Sequence, residues 1–188
     1  MNQEKLSEII LLHELWLAGD GKGERANLSY ANLRDANLYD ANLERANLSG
    51  ANLEDANLER ANLSYANLRD ANLYDANLYD ANLSGANLED ANLYGANLYC
   101  ANLSGANLED ANLERANLFK TDIISFQFGK HFGFCHEGMV KIGCVSKSLF
   151  EWIRDCEEIG INNGYSPSQI KYYSSMLNLL AELELIKE

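Results

Sequence analysis

The chain is 188 residues long, carries one proline, is 47% hydrophobic and has a formal charge of −13. That is enough apolar material for one sizeable body with appendages. The charge divides as −2 over residues 1–25, −8 over 26–120 and −3 over 121–188, which argues against direct nucleic-acid binding and against docking on anionic membrane surfaces.

The first predicted element is a helix over residues 2–18. Leu6, Ile9, Ile10, His13, Trp16 and Leu17 follow helical spacing, Leu11, Leu12 and Leu15 widen the apolar surface, and Gly19 can end the helix. The run Ile9–Leu12 is broken by His13 and Glu14 and is too short to span a bilayer. His13 reads as a packed side chain of an amphipathic helix rather than a ligand.

From residue 26 the tripeptide Ala-Asn-Leu recurs every five residues to 116, nineteen uninterrupted units over residues 26–120. Residues 21–25 (GKGER) and 121–125 (TDIIS) keep the frame as degenerate ends. A straight helix turns about 100° per residue, so successive leucines would circle it and form no core face. A straight strand fails as well, because its side chains alternate and an odd repeat sends every second Leu to the other side. The period works if the chain turns a corner once per unit. Each unit is then one short side of a closed coil, with Leu and Ala inward and the other three positions outward. The small Ala suits the corner. Coils must stack, since one side buries little alone. Leucine burial by itself does not offset the ordering of so many backbones, so ladder hydrogen bonds and repeated Asn contacts must contribute, and the helix of residues 2–18 is expected to cover the first coil.

"ANLSG", "ANLED" and "ANLRD" resemble the A-[DN]-L-x-x consensus of pentapeptide repeat proteins. The resemblance implies a mainly β solenoid, a right-handed quadrilateral β-helix with four units per coil. Nineteen units then make 4.75 coils, a column roughly 23 Å tall at a strand spacing of ~4.8 Å. Taking residues twenty apart as vertical neighbours gives four outward faces. One carries Arg69-Asp70, Glu89-Asp90 and Glu109-Asp110, and Asp70, Glu89, Asp90, Glu109 and Asp110 form a candidate acidic interaction face. A second carries Asp35, Asp55 and Asp75 with Tyr74 and Tyr94. A third is an aromatic column, Tyr39, Tyr79, Tyr99 and Phe119, interrupted by Glu59. The fourth, with Ser64, Ser84, Ser104, Gly85 and Gly105, is nearly uncharged. Stacked tyrosines read first as a stabilising cross-strand ladder, and stacked carboxylates as solvated surface. Residues 26–60 and 61–95 are identical at 31 of 35 positions. A copy of seven units lands on different faces from its original, so a precise outward constellation would have been displaced.

After residue 120 the repeat stops. "FQFGKHFGFCHEGMVKIGC" predicts two or three short antiparallel strands around Gly-containing turns. Ser148-Leu149-Phe150-Glu151 is a capping-box pattern opening a helix through Leu149, Trp152, Ile153 and Cys156, with Gly160 and "INNG" as a loop. Ser166-Pro167 starts a last helix whose stripe is Ile170, Tyr173, Leu177, Leu180 and Leu183, ending near residue 186. Both terminal segments are similar to those flanking pentapeptide arrays in uncharacterised phage and bacterial proteins, which implies no known activity. The predicted organisation is an N-terminal capping helix over 1–20, a solenoid over 21–125 and a small C-terminal α+β module, a β-hairpin plus two helices, over 126–188.

No catalytic or cofactor-binding site emerges. His131, Cys135, His136 and Cys144 match no standard zinc spacing, and a Cys/His nucleophile pair lacks an elbow, a Gly-rich loop and an orienting acid. Cys100, Cys135, Cys144 and Cys156 form no CxxC pair, and with no secretory signal recognisable, reduced thiols in a cytoplasm are expected. The expectation is a non-enzyme with no cofactor and no metal: a structural or protein-interaction module with a protein partner, the C-terminal module rather than the repeats carrying recognition. The alternative is mimicry of DNA toward a type II topoisomerase such as gyrase, which the resemblance raises. Net −8 over roughly 23 Å is about one charge per 3 Å, against one per ~1.7 Å in duplex DNA, and the array lacks the inserted loops of the resistance-type members. Self-association through the Ser/Gly face or the C-terminal helices, in its simplest form a homodimer, is a further expectation.

Overall fold

Every quintet closes a turn between its Leu and the Ala of the next unit. Ala31 N–H donates to the Leu28 carbonyl at 3.1 Å, and the same bond recurs through Ala116 to Leu113, also at 3.1 Å. The residue in the fifth position takes a positive φ, 51° to 62° at fifteen non-glycine residues and 63° to 70° at Gly50, Gly85, Gly95 and Gly105. A positive φ at the third residue of a four-residue turn is the signature of type II. The left-handed region costs most L-residues roughly 1–2 kcal/mol and is least unfavourable for Gly, Asn and Asp. Eight of the fifteen non-glycine positions are Asp, from Asp35 to Asp110. The corner therefore sits on the fourth and fifth positions, and the Ala thought to occupy it follows it.

The computed structural model describes residues 1–121, 124–128, 131–136, 139–142, 145–162 and 166–185, and its contacts divide the chain into two units, Met1–Asp122 and Ile123–Glu188. In the first unit, parallel bridges join residues twenty apart, from Asn27 with Asn47 to Asn97 with Asn117. With five residues per side, each coil has four sides. The coils are joined by backbone bonds such as Leu28 N–H to the Asn47 carbonyl at 2.7 Å and Asn47 N–H to the Ala26 carbonyl at 3.0 Å. All nineteen leucines from Leu28 to Leu118 are buried, so the inward convergence read from the period holds for each of them.

The asparagines supply the expected side-chain ladders. Along one face Asn57, Asn77, Asn97 and Asn117 each donate from Nδ2 to the Oδ1 of the Asn one coil below, at 3.4, 3.3, 3.0 and 3.0 Å. The same Oδ1 accepts the backbone N–H two residues on, as Asn77 does from Tyr79 at 3.2 Å. Each Asn thus links its coil to the next and fixes the chain entering the corner.

Helix α1 spans Gln3–Leu17, with Asn2 as N-cap accepting from Lys5 N–H. It ends in a Schellman arrangement, Gly19 N–H to the Trp16 carbonyl and Asp20 N–H to the Leu15 carbonyl, with Gly19 at φ 75°. Leu6 and His13 are buried on the coil side, whereas Leu11, expected to widen the apolar surface, faces solvent. In the stack, the carbonyls of an Asn and of a fourth-position residue accept from the coil below; the first coil has none. The helix replaces it: Gln3 Nε2 donates to the Asn37 carbonyl at 3.0 Å and His13 Nε2 to that of Glu44 at 3.0 Å.

The second unit is a four-stranded antiparallel meander followed by two helices. Strands β1 (Ile124–Phe128), β2 (His131–His136), β3 (Met139–Ile142) and β4 (Val145–Ser148) lie in the order β1-β2-β3-β4. Two or three strands were expected; Val145–Ser148 is the additional one, because Ser148 both ends β4 and caps the next helix. The capping box is complete: Glu151 N–H donates to Ser148 Oγ at 3.2 Å, and Ser148 N–H to Glu151 Oε2 at 3.0 Å. Helix α2 (Leu149–Asn162) runs through Gly160, which sequence reading had placed in a loop. Gly160 is buried because α3 crosses there: a Cβ on it would lie 2.6 Å from Ile170 Cγ1. Ile161 and Asn162 of the expected loop are helical as well, and the rest of it, residues 163–164, lies outside the described residues. Helix α3 spans Pro167–Leu185, with Leu177 fully buried. The side chains of Tyr173, Leu180 and Leu183 lie outside the described residues.

Candidate functional site

The coil length settles which outward side chains are neighbours. Asp70 N–H donates to the Glu89 carbonyl and Asp90 N–H to the Glu109 carbonyl, both at 2.9 Å, so Asp70, Glu89, Asp90, Glu109 and Asp110 share one face across three coils. Their acidity is not continuous. Arg69 lies 3.1 Å from Glu89, 3.6 Å from Asp90 and 3.5 Å from Asp70. Its counterpart Arg34 lies 3.1 Å from Glu54, 3.3 Å from Asp55 and 3.7 Å from Asp35. These pairs are 25–72% exposed at their side chains, a range in which each contributes at most about 1 kcal/mol.

Arg34-Glu54-Asp55 and Arg69-Glu89-Asp90 are copies thirty-five residues apart. The same holds for Tyr30 over Gly50 and Tyr65 over Gly85, where a Cβ on the glycine would lie 2.5 and 2.6 Å from the ring. Duplication moved these two groups to another face yet kept their vertical contacts, since both partners lie inside one block; the Arg60–Asp40 pair at 2.9 Å was not kept, because Gly95 stands where its copy would need Arg. The displacement inferred from sequence therefore applies to a face as a whole and not to these two sets of vertical pairs.

The aromatic columns stack as ladders. Tyr74 and Tyr94 have centroids 5.3 Å apart with planes 4° from parallel, and Tyr79 and Tyr99 are 5.4 Å apart at 7°. Phe119 follows Tyr99 at 5.5 Å, tilted 34°. Cations cover the rings: Arg60 on Tyr39, Arg115 on Tyr94 and Lys120 on Tyr99, at 5.6, 5.3 and 5.4 Å. The contact with Tyr99 raises the Lys120 pKa. Glu59, which interrupts the column, accepts from Asn77 Nδ2 at 3.1 Å. On the Ser/Gly face Ser64 is buried and donates to Asn62 Oδ1 at 2.7 Å. The ring, cation and Glu59 contacts thus tie outward groups to the coil above or below, whereas Ser64 bonds within its own coil.

In the second unit, Asp155 accepts from Arg154 at 2.6 and 2.9 Å and from Lys147 at 3.0 Å, which holds its carboxyl far below the usual carboxylate range. Burial pushes the Cys156 thiol up, away from nucleophilic use. The side chains of His131, Cys135 and His136, and residue Cys144 altogether, lie outside the described residues. Among the described residues no cluster of His, Cys, Asp and Glu could hold a metal ion, and no helix is long and apolar enough to cross a membrane. Sequence reading missed the role of Arg34 and Arg69. Their position one coil below a Glu-Asp pair was available in the sequence once twenty residues were taken as the coil.

The family model described as pentapeptide repeats matches residues 24–55, 51–90 and 96–125, in eight copies. No curated protein matches the chain. Among solved structures, the chain is similar to a pentapeptide repeat protein of the Arabidopsis thaliana thylakoid lumen, with 28% identity over 52% of this chain and 64% of that one and a TM-score of 0.41. It is also similar to HetL of the cyanobacterium Nostoc, a protein involved in heterocyst differentiation regulation, with 37% identity over 52% of this chain and 51% of that one and a TM-score of 0.34. A third is a pentapeptide repeat protein from Cyanothece, with 36% identity over 52% and 78% and a TM-score of 0.36. The alignments span about half to two thirds of the first two of these chains.

Proposed function

The chain belongs to the pentapeptide repeat family, and from that premise we propose that it is a non-catalytic structural or protein-interaction protein. The repeats, in the family's right-handed quadrilateral β-helix, act as a rigid support over residues 21–125 behind the capping segment 1–20. Recognition of a protein partner, in the cytoplasm, falls to residues 126–188. The observation that carries this reading is the occupation of the outward positions. Arg34, Arg69, Arg60, Arg115, Lys120 and the stacked tyrosines are turned to their own neighbouring coils, which leaves the array few groups for a ligand. Affinity capture from the native host with the full chain, beside a chain lacking residues 126–188, tests it. A partner held by the full chain and lost by the shortened one is expected; equal retention by both rejects the assignment of recognition to the C-terminal module.

The face with Asp70, Glu89, Asp90, Glu109 and Asp110 favours a second reading, imitation of a DNA duplex toward a type II topoisomerase. Arg69 within that face weakens it, because duplex DNA has no cation in its backbone. A gyrase supercoiling assay is expected to show neither inhibition nor protection from gyrase-directed drugs at micromolar protein; either effect would install this reading.

A further inference from the structure

His13 is the one fully buried titratable side chain between α1 and the first coil among the described residues, and it is 0% exposed. Both ring nitrogens are committed. Nδ1 accepts the Ala26 N–H at 3.1 Å, and Nε2–H donates to the Glu44 carbonyl at 3.0 Å. An acceptor at Nδ1 with a donor at Nε2 is a neutral imidazole in a fixed tautomer. The ring also stacks on Trp16, with centroids 5.5 Å apart and planes 12° from parallel. Gly23 brings the returning chain against this helical turn: a Cβ there would lie 2.0 Å from Trp16 N. Arg25 and Glu44 face the ring from the first coil and Glu14 from the helix itself. Glu44 is also 3.7 Å from Arg45, which shares its negative charge.

We propose that His13 makes α1 an acid-released latch: a proton on Nδ1 turns the Ala26 N–H···Nδ1 bond into a donor facing a donor, and the helix leaves the first coil. The docked ring has no solvent-exposed surface and is stacked on Trp16. Burial lowers the ring's pKa, opposed by the bond to the Glu44 carbonyl, with Arg25 lowering it further and Glu44 and Glu14 raising it. The sign follows. The docked ring binds its proton less readily than the released ring, so docking is at full strength above the free imidazole pKa of about 6.5. It weakens as pH falls from there toward the docked value, by about tenfold in the docking constant per pH unit. Release uncovers Leu6 and Trp16 of α1 and the first coil's Ala26, Leu28 and Asn37 edge, while the bonds among later coils do not involve His13.

Nuclear magnetic resonance on the full chain tests this, following the Trp16 indole, the His13 ring and the core leucine methyls from about pH 7.5 to about pH 4.5. A Trp152→Phe spectrum assigns the two indoles, and a His13→Gln spectrum assigns the ring. The Trp16 indole is expected to move to its solvent-exposed shift with the midpoint of His13 protonation, while the methyls of the later coils keep their dispersion. His13→Gln, whose amide can offer the same acceptor and donor, is expected to stay docked at the acid end. An indole that does not move as His13 protonates overturns the proposal, as does a midpoint more than about one pH unit from that of the ring. So does a His13→Gln chain that releases at the native midpoint. Should His13→Gln be undocked at every pH, the coincidence of the two midpoints in the native chain decides.

Discussion

At the scale of single residues, two positions of each quintet carry different loads. Asn in the second position must donate and accept at once, which Asp cannot do. Asn77 donates to Asn57 at 3.3 Å and to Glu59 at 3.1 Å and accepts from Asn97 at 3.0 Å and from Tyr79 N–H at 3.2 Å. Asn77→Asp removes both donations and sets a carboxylate against Oδ1 of Asn57 and against Glu59. The loss expected is about 1–3 kcal/mol, read as a lower midpoint in denaturant with unchanged slope. The fifth position has the opposite character, since it is a cost the fold tolerates. Cys100 sits at φ 60°, and its backbone N–H to the Phe119 carbonyl survives any side-chain change. Cys100→Gly is therefore expected to stabilise the array by about 1 kcal/mol, the part of the left-handed cost that a glycine avoids. Calorimetry on the two chains checks the sign.

At the scale of elements, the helix ends were legible and the helix interiors less so. Gly19, the Ser148–Glu151 box and Pro167 are local signals, each satisfied by atoms within a few residues, and the helices start or stop where those signals lie. Gly160 misled because glycine is a breaker by propensity, yet here it is a contact that only the approach of α3 explains. Gly160→Ala places its Cβ 2.6 Å from Ile170 Cγ1 and is expected to cost about 1–3 kcal/mol. Ile170→Ala in the same chain should recover part of that loss, a non-additivity that a double-mutant cycle measures. The capping box gives a pH dependence. The bonds from Ser148 hold the Glu151 carboxyl below its ordinary pKa. Its stabilisation is thus complete above the ordinary carboxylate value and is lost as pH falls through the folded value. Thermal melts should show Glu151→Gln less stable than the native chain near neutrality, the gap closing in acid.

At the scale of the whole molecule, the period of five told more than any composition statistic, because it fixes the corner, the inward column and, once four sides are taken, every vertical neighbour. What it left open is what each vertical pair does, and there Arg34 and Arg69 matter. They show that contacts twenty residues apart can survive a thirty-five-residue copy, although the copy shifts them by a quarter of a coil. The inward surface is indifferent to such a shift, because Leu and Ala occupy the same two positions on all four sides. Removing residues 61–95 would keep the frame, joining Arg60 to Ala96, and set residues 96–115 directly above residues 41–60. Every Asn ladder and every leucine layer can then re-form, and the loss is one and three quarter coils of stacking, with Arg34, Glu54 and Asp55 retained. Since coils in such an array contribute by nearest-neighbour contacts, the shortened chain is expected to fold with the same spectral shape per repeat and a lower melting temperature. A deletion of thirty-three residues, which breaks the frame of five, is expected not to fold. Circular dichroism and melting of the two deletions side by side separate a stack held by its period from one held by particular outward pairs.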